Sequence, residues 1–258
     1  MNIKAKVRYD GSGFAGWQVQ PGLRTVQGEL ERVLSTIASQ PIGVRGAGRT
    51  DAGVHALGQV CNFEWPREPD TERLRRSVSG MLSPDLRAES IEVAPDDFDA
   101  RYSATAKRYA YAFSLSKFPD PFTARYAWLV PWRVDMQLLA DLAGRITGRR
   151  DFAGFQCSGA SSTTTVRTLY SANLMQGGFA GPVDAEGLWR LEFRGDGFLY
   201  KMVRNLVGTL IDVARGLLPS SALDERLNSL GPYRGYTAPG HGLALMEVEY
   251  GPQGQATA

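Results

Sequence analysis

Residues 43–60, Gly-Val-Arg-Gly-Ala-Gly-Arg-Thr-Asp-Ala-Gly-Val-His-Ala-Leu-Gly-Gln-Val, carry five glycines and set one carboxylate, Asp51, among small residues, with Arg49 and Thr50 just before it. Glycine density of this kind lets backbone turn tightly or come close to a ligand. Two phosphate-binding readings fail on spacing. A dinucleotide fingerprint wants a third glycine where Asp51 follows Gly46-x-Gly48, with a strand leading cleanly into a helix, and a P-loop wants Gly-Lys-Ser/Thr. What is left is an acid that an arginine can keep ionised, because a positive charge within a few ångströms favours the carboxylate and leaves it available as nucleophile or base. Arg49 or Arg204 can supply that charge. The same residues have structural uses. Asp51 suits an Asx turn or a helix N-cap, Tyr109 in the stripe Tyr109, Tyr111, Phe113 suits a core, and Arg204 suits a solvated helix surface, so residue type alone leaves both roles open.

Other chemistries have little to build with. His55 and His241 are the only histidines, and Cys61 and Cys157 the only cysteines, far apart and without a CxxC. A disulfide framework and a zinc ribbon are therefore excluded, and His-based metal sites or a Ser-His-Asp triad have almost nothing to use. The 258 residues are 43% hydrophobic, 10% aromatic and 22% charged, which suits a globular protein with a sizeable core. No apolar run approaches the roughly 18 residues of a membrane span. The opening Met1-Asn-Ile-Lys-Ala-Lys-Val alternates instead of forming a signal-peptide core, so the expectation is a cytoplasmic, unanchored protein. The formal net charge of +2 hides an uneven distribution: 1–51 is net +3, 52–100 is −5, 101–204 with 14 basic and 8 acidic residues is +6, and 205–258 is −2. A fold that gathers Arg24, Arg45, Arg49, Lys107, Arg108, Arg149, Arg150, Lys201 and Arg204 onto one face would suit nucleic acid. Scattered solvated charges would give the same composition.

The elements that must position these residues follow from periodicity. Ile3, Ala5, Val7 and Tyr9 alternate with Lys4, Lys6 and Arg8 as a half-buried strand. After the turn-rich Asp10–Trp17 stretch, Thr25 caps a helix with the stripe Val26, Leu30, Val33, Leu34, Ile37 and with Glu29 near its positive end. Cys61, Phe63 and Trp65 mark a strand, Leu74, Val78 and Met81 a short helix, and Ile91 and Val93 a short strand. The second half repeats the alternation: a strand with Tyr109, Tyr111, Phe113 and Leu115 on one face, a helix striped by Met136, Leu139, Ala143 and Ile146, and strands at 165–175 and 188–194. Val203, Leu206, Val207, Leu210 and Ile211 stripe an amphipathic helix. Ser221 with Asp224 resembles a capping box ahead of Leu223, Leu227 and Leu230, with Gly231 at the C′ position, and Leu243–Tyr250 is a last strand. Alternating strands and unequal connections favour an α+β fold, a largely antiparallel mixed sheet with helices packed on one side, over a doubly wound parallel sheet. The division expected is an N-terminal half 1–104 carrying the Asp51 loop, a C-terminal half 105–250 and a flexible tail 251–258.

Several separated blocks then occur together and in order: Tyr9-Asp-Gly-Ser-Gly-Phe-Ala-Gly-Trp-Gln-Val-Gln20, Thr25-Val-Gln-Gly-Glu-Leu-Glu31, Gly46-Ala-Gly-Arg-Thr-Asp-Ala-Gly-Val-His-Ala-Leu-Gly-Gln-Val60, Phe98-Asp-Ala-Arg-Tyr-Ser-Ala104, Lys107-Arg-Tyr-Ala-Tyr111, Gly197-Phe-Leu-Tyr-Lys-Met-Val-Arg204 and Ala238-Pro-Gly-His-Gly-Leu243. Over nearly its whole length the chain resembles the tRNA pseudouridine synthase A family. The resemblance implies two similar α/β halves around a central cleft. It also implies that Asp51 is catalytic and attacks the target nucleotide, that Arg49 helps expose that nucleotide, and that Tyr109 stacks on the flipped uracil and assists the proton step. By the same resemblance Arg204 pairs with Asp51, Leu243 lines the pocket, the substrate is uridines 38–40 of the tRNA anticodon stem-loop, and the enzyme is a homodimer. Two positions depart from the pattern: Lys201 stands where Asn is common, and Arg150 where His is common.

The implied reaction breaks the N1–C1′ bond of a uridine, turns the uracil and rejoins it through C5. It is redox-neutral, so no metal, nucleotide or redox cofactor is expected. It needs a nucleophile or base, a pocket for the detached base and a way to unstack the nucleotide, which Asp51, Tyr109 and a basic surface would supply in turn. A noncatalytic tRNA-binding module would place no demand on Asp51, and the intact Gly-Arg-Thr-Asp block argues against it. A metal-dependent RNA hydrolase would want clustered carboxylates, for which Asp10 and Asp51 are the only obvious pair.

Overall fold

The alternating apolar residues of the N-terminus do form a strand, the first element of one compact unit. The computed structural model describes residues 1–159 and 163–251; the tail from 252 onward, expected to be flexible, lies outside the described residues. Residues Met1–Thr105 and the C-terminal residues from Leu245 make up the first unit, and Ala106–Ala244 the second.

The first unit contains β1 (Asn2–Tyr9), α1 (Val26–Ala38), β2 (Arg45–Gly46), β3 (His55–Glu64), α2 (Thr71–Met81), β4 (Leu86–Val93) and most of β10 (Leu243–Tyr250), the last strand of the chain. Its strand order is β4-β1-β3-β10, with β2 laid on β3. β1 pairs antiparallel with both β3 and β4, so that Ile3 faces Phe63 and Val93. Ile3, Ala5, Val7 and Tyr9 are buried while Lys6 and Arg8 face solvent. β3 differs from a half-buried strand: every residue from His55 to Phe63 except Leu57 is buried, because both of its faces are covered. Thr25 caps α1 as expected, accepting from the Gly28 N–H at 3.3 Å, and Asp70 caps α2 from the side chain as well.

The second unit contains most of β5 (Ala104–Ser114), β6 (Trp128–Leu129), α3 (Met136–Arg145), β7 (Gly148–Asp151), β8 (Val166–Gln176), β9 (Leu188–Gly195), α4 (Met202–Ala214) and α5 (Ala222–Leu227). Its strands run β5-β9-β8-β7, antiparallel in each pair, and β6 adds to β5 in parallel. The α+β class and the mostly antiparallel mixed sheet with helices to one side agree with the sequence reading. Two local features go beyond or against the expectation. α4 has the expected amphipathic pattern, yet its polar side is covered as well: every residue from Met202 to Ala214 except Arg204 is buried, with α3 and α5 both packed on it. The capping box fails. Ser221 has helical φ and ψ and its hydroxyl donates to the Glu225 carboxylate at 2.8 Å instead of accepting a backbone N–H. α5 stops at Leu227, short of Gly231, and Leu230 is 84% exposed.

Candidate active site

In the first unit, the loop that carries Asp51 is held against the glycine-rich stretch 10–17 by main-chain hydrogen bonds. Trp17 N–H donates to the Thr50 carbonyl at 3.0 Å and Gly53 N–H to the Phe14 carbonyl at 3.4 Å, while Gly11 N–H donates to His55 Nδ1 at 3.0 Å. Two glycines make this approach possible. A Cβ on Gly11 would lie 2.0 Å from the Val54 carbonyl oxygen, and one on Gly16, whose φ is +102°, would lie 2.8 Å from the Thr50 oxygen. Thr50 is the anchor. Its side chain points inward, 7% exposed, with its hydroxyl 2.8 Å from that of Tyr9 on β1. Burial pushes the Tyr9 pKa up to about 12 against opposing hydrogen bonds from Thr50 and Gln59, so the phenol is neutral at working pH and acts as a structural donor and acceptor. Gln59 on β3 in turn donates to the Gly48 carbonyl at 2.8 Å.

With Thr50 turned inward, its neighbours emerge: Arg49 is exposed and Asp51 half-buried. A turn closes from Val54 N–H to the main-chain carbonyl of Asp51 at 3.1 Å, with Gly53 at φ +75°. Asp51 is thus a turn residue through its backbone, with its side chain half-buried. The basic residue Arg24, expected to join a nucleic-acid face, is committed elsewhere. Its guanidinium makes a two-pronged pair with Asp85 at 2.7 and 2.8 Å, donates to Ser83 Oγ at 2.6 Å and lies 4.1 Å over the Phe14 ring.

The second unit holds Tyr109, Arg204 and Leu243. Tyr109, on β5 opposite Phe193 of β9, is 8% exposed and meets Phe198 edge to face with centroids 5.0 Å apart. Arg204, in the first turn of α4, donates from Nε to the Ala238 carbonyl at 2.7 Å, and Ala238 N–H returns a bond to the Arg204 carbonyl at 3.2 Å. Segment 236–243 is therefore a strap across α4. Thr237 donates to Asn205 Oδ1 at 2.7 Å, and the fully buried Asn205 donates to the Phe155 carbonyl at 2.8 Å. The Tyr111 hydroxyl donates to the Pro239 carbonyl at 2.8 Å. Gly208 admits the strap, since a Cβ there would lie 2.0 Å from the Tyr236 oxygen. Leu243, where the strap enters β10, is buried. Burial holds the His241 imidazole below its ordinary pKa of 6.5; the nearby Arg204 charge adds to this, and a hydrogen bond with the Ala127 backbone opposes it.

Arg49 and Asp51 thus share one loop, and Tyr109, Arg204 and Leu243 share the other unit. Residue type does not show the supporting roles of Tyr9, Thr50, Gln59, Asn205 and Thr237; the glycine-rich stretch that holds Gly11 and Gly16 is the nearest signal in the sequence, and it points to the first unit alone. Among the described residues, no three His, Cys, Asp or Glu side chains are grouped as metal ligands would be.

The family model for tRNA pseudouridine synthase matches residues 5–103 and 142–251, spans that include Arg49, Asp51, Arg204 and Leu243 but not Tyr109. The tRNA pseudouridine synthase A of Syntrophotalea carbinolica is 38% identical over 252 residues, 97% of each chain. That of Lactococcus lactis subsp. cremoris is 40% identical over 252 residues, covering 96% of this chain and 97% of its own. That of Streptococcus mutans is 39% identical over 252 residues, covering 97% and 99%.

Proposed function

Because the chain belongs to the tRNA pseudouridine synthase family, we propose that this isomerase converts uridines 38–40 of the tRNA anticodon stem-loop to pseudouridine, with Asp51 as its catalytic carboxylate and without a cofactor. The observation that carries the reading is the Asp51 turn itself. A loop pinned from beneath by Tyr9 and Gln59 through Thr50 and Gly48 presents one half-buried acid in a fixed place, as catalysis by positioning requires. Arg49, exposed two residues earlier, contacts the RNA as the nucleotide leaves its stack. Tyr109 receives the flipped base on its ring and takes part in the proton step that ends the isomerisation at C5. Arg204 contacts the substrate, and the strap from Ala238 sets the direction of its guanidinium. Leu243 borders the base. The protein works as a cytoplasmic homodimer on tRNA; no helix among the described residues is long and apolar enough to cross a membrane.

The test is to treat tRNA with the purified protein and map pseudouridine by carbodiimide labelling. Labelling at 38–40 that persists in EDTA is expected, and labelling confined to other positions refutes the assignment of substrate. Asp51→Asn preserves shape while removing charge and nucleophilicity. It should fold and bind tRNA yet leave uridine unchanged, and product from that variant, free of wild-type enzyme, removes Asp51 from the chemistry.

A further inference from the structure

Two arginines stand directly opposite each other at the outer edge of the second unit's sheet. The β7–β8 register pairs Arg150 with Arg167, and like charges in directly opposed positions are unfavourable unless something negative meets them. Strand alternation puts both on the face that carries Leu169. Register continues that face from Leu169 to Gly195 and Lys107, and one pair further on to Phe193 and Tyr109. The turn after β9 bridges the two ends. Phe198 meets Tyr109, Gly195 lies beneath Phe198, and a Cβ at Gly197 would come 3.4 Å from Arg167 Nε. One continuous tract therefore leads from Tyr109 through Phe198 and Gly197 to Arg167 and Arg150.

The Arg167 guanidinium is half-buried and held from one side. Its Nη1 donates to the Thr164 carbonyl at 2.9 Å and to the Val166 carbonyl at 2.6 Å. Burial lowers its pKa from the ordinary arginine value, with the charge of Asp196 opposing. No buried side-chain nitrogen or oxygen among the described residues lacks a partner, so its remaining N–H groups, on Nε and Nη2, reach solvent. Arg150 donates from Nε to the Thr147 carbonyl at 3.1 Å and is otherwise exposed. Asp196, whose charge reaches Arg167, accepts from Thr168 N–H at 3.0 Å, and Asp151, next to Arg150 in sequence, accepts from Ala153 N–H at 2.9 Å. A guanidinium fixed by carbonyls behind and open in front is preset for two-pronged contact with a phosphate.

We infer that Arg167 and Arg150 form a clamp for the RNA backbone phosphates that flank the nucleotide received at Tyr109. The inference rests on the proposed function and adds the path of the RNA over the second unit. Arg167→Gln, Arg150→Ala and the double variant are compared with Arg32→Ala, a remote surface control paired with Glu29 on α1. Affinity for tRNA is measured across a salt series, with melting temperature and single-turnover rate at saturating tRNA for each protein. Each clamp arginine removed should lower the salt slope of log K by about 0.7–0.9 through counterion release, leaving the saturated rate and the control's slope unchanged. An unchanged slope in the double variant overturns the clamp, as does a lost saturated rate with intact affinity. Should Arg167→Gln fail to fold, the exposed Arg150→Ala decides on the same two readings. Pseudouridine formation by the wild-type protein on the same tRNA scores the underlying function separately.

Discussion

Thr50→Val tests whether the Asp51 turn works because it is pinned from below. Valine keeps the β-branched shape and the main-chain bonds to Trp17, and removes only the hydroxyl that lies 2.8 Å from that of Tyr9. Tyr9 retains Gln59 as a partner, so the phenol is not orphaned and the cost is that of one net hydrogen bond, about 1–1.5 kcal/mol. For a chain of 258 residues, an unfolding entropy of about 2.1 cal/mol/K per residue turns this into a melting temperature lower by about 2–3 °C. The effect on turnover should be far larger than that loss. Freed from its anchor, the turn no longer holds the neighbouring carboxylate to within a fraction of an ångström, and misplacement on the 1 Å scale costs on the order of 100-fold in rate. Single-turnover pseudouridine formation at saturating tRNA, with tRNA affinity and thermal melting measured on the same preparation, separates these effects. Thr50→Ser restores the hydroxyl and should restore the rate. A full rate in Thr50→Val with the melting temperature lowered as expected would refute the pinned-turn argument.

Tyr109→Phe should bind tRNA but turn over poorly, and Tyr109→Leu should also lose affinity by about 1–3 kcal/mol of base stacking; a Phe variant that melts lower yet retains full activity would make Tyr109 a core residue only. Lys201 adopts a left-handed backbone at φ +59°, which asparagine tolerates better than lysine, so Lys201→Asn should stabilise by about 1 kcal/mol, and an unchanged or lower melting temperature contradicts this. His241 is held below its ordinary pKa of 6.5, so the unfolded chain takes up this proton first as pH falls; stability should be flat above about 6.5 and decline below it. Replacing His241 with Asn should flatten the decline in melting temperature over that window, and an identical profile in wild type and variant would rule out His241 as its source.

The helices capped by local chemistry were legible from the sequence, because Thr25 and its stripe of apolar residues act within a few turns of chain. Ser221 was misread even so. A capping box is only a spacing, and here Ser221 takes helical φ and ψ, so its hydroxyl meets the Glu225 carboxylate one turn on instead of a backbone N–H. The same distance dependence explains α4, whose sequence shows a stripe but whose surroundings cover every side except at Arg204. Arg24 looked like any other arginine in the basic first block until the fold brought Asp85 and Phe14 to it. The expected boundary near residue 104 marks a change in local pattern, whereas the last strand's place beside β3 in the first unit is a pairing across most of the chain.

The sequence by itself determined the α+β class, most strand and helix positions, the glycine loop with its single acid, and, through ordered motif blocks, the family. These are properties of periodicity, residue type and order, all of which survive in an unfolded chain. Only tertiary structure decided that Thr50 turns inward to Tyr9 while Asp51 emerges, that Ala238 aims Arg204, and that Arg150 faces Arg167. Each joins residues far apart in the chain or set by strand register, and which of many possible partners meet is resolved only when burial makes an unsatisfied polar group costly.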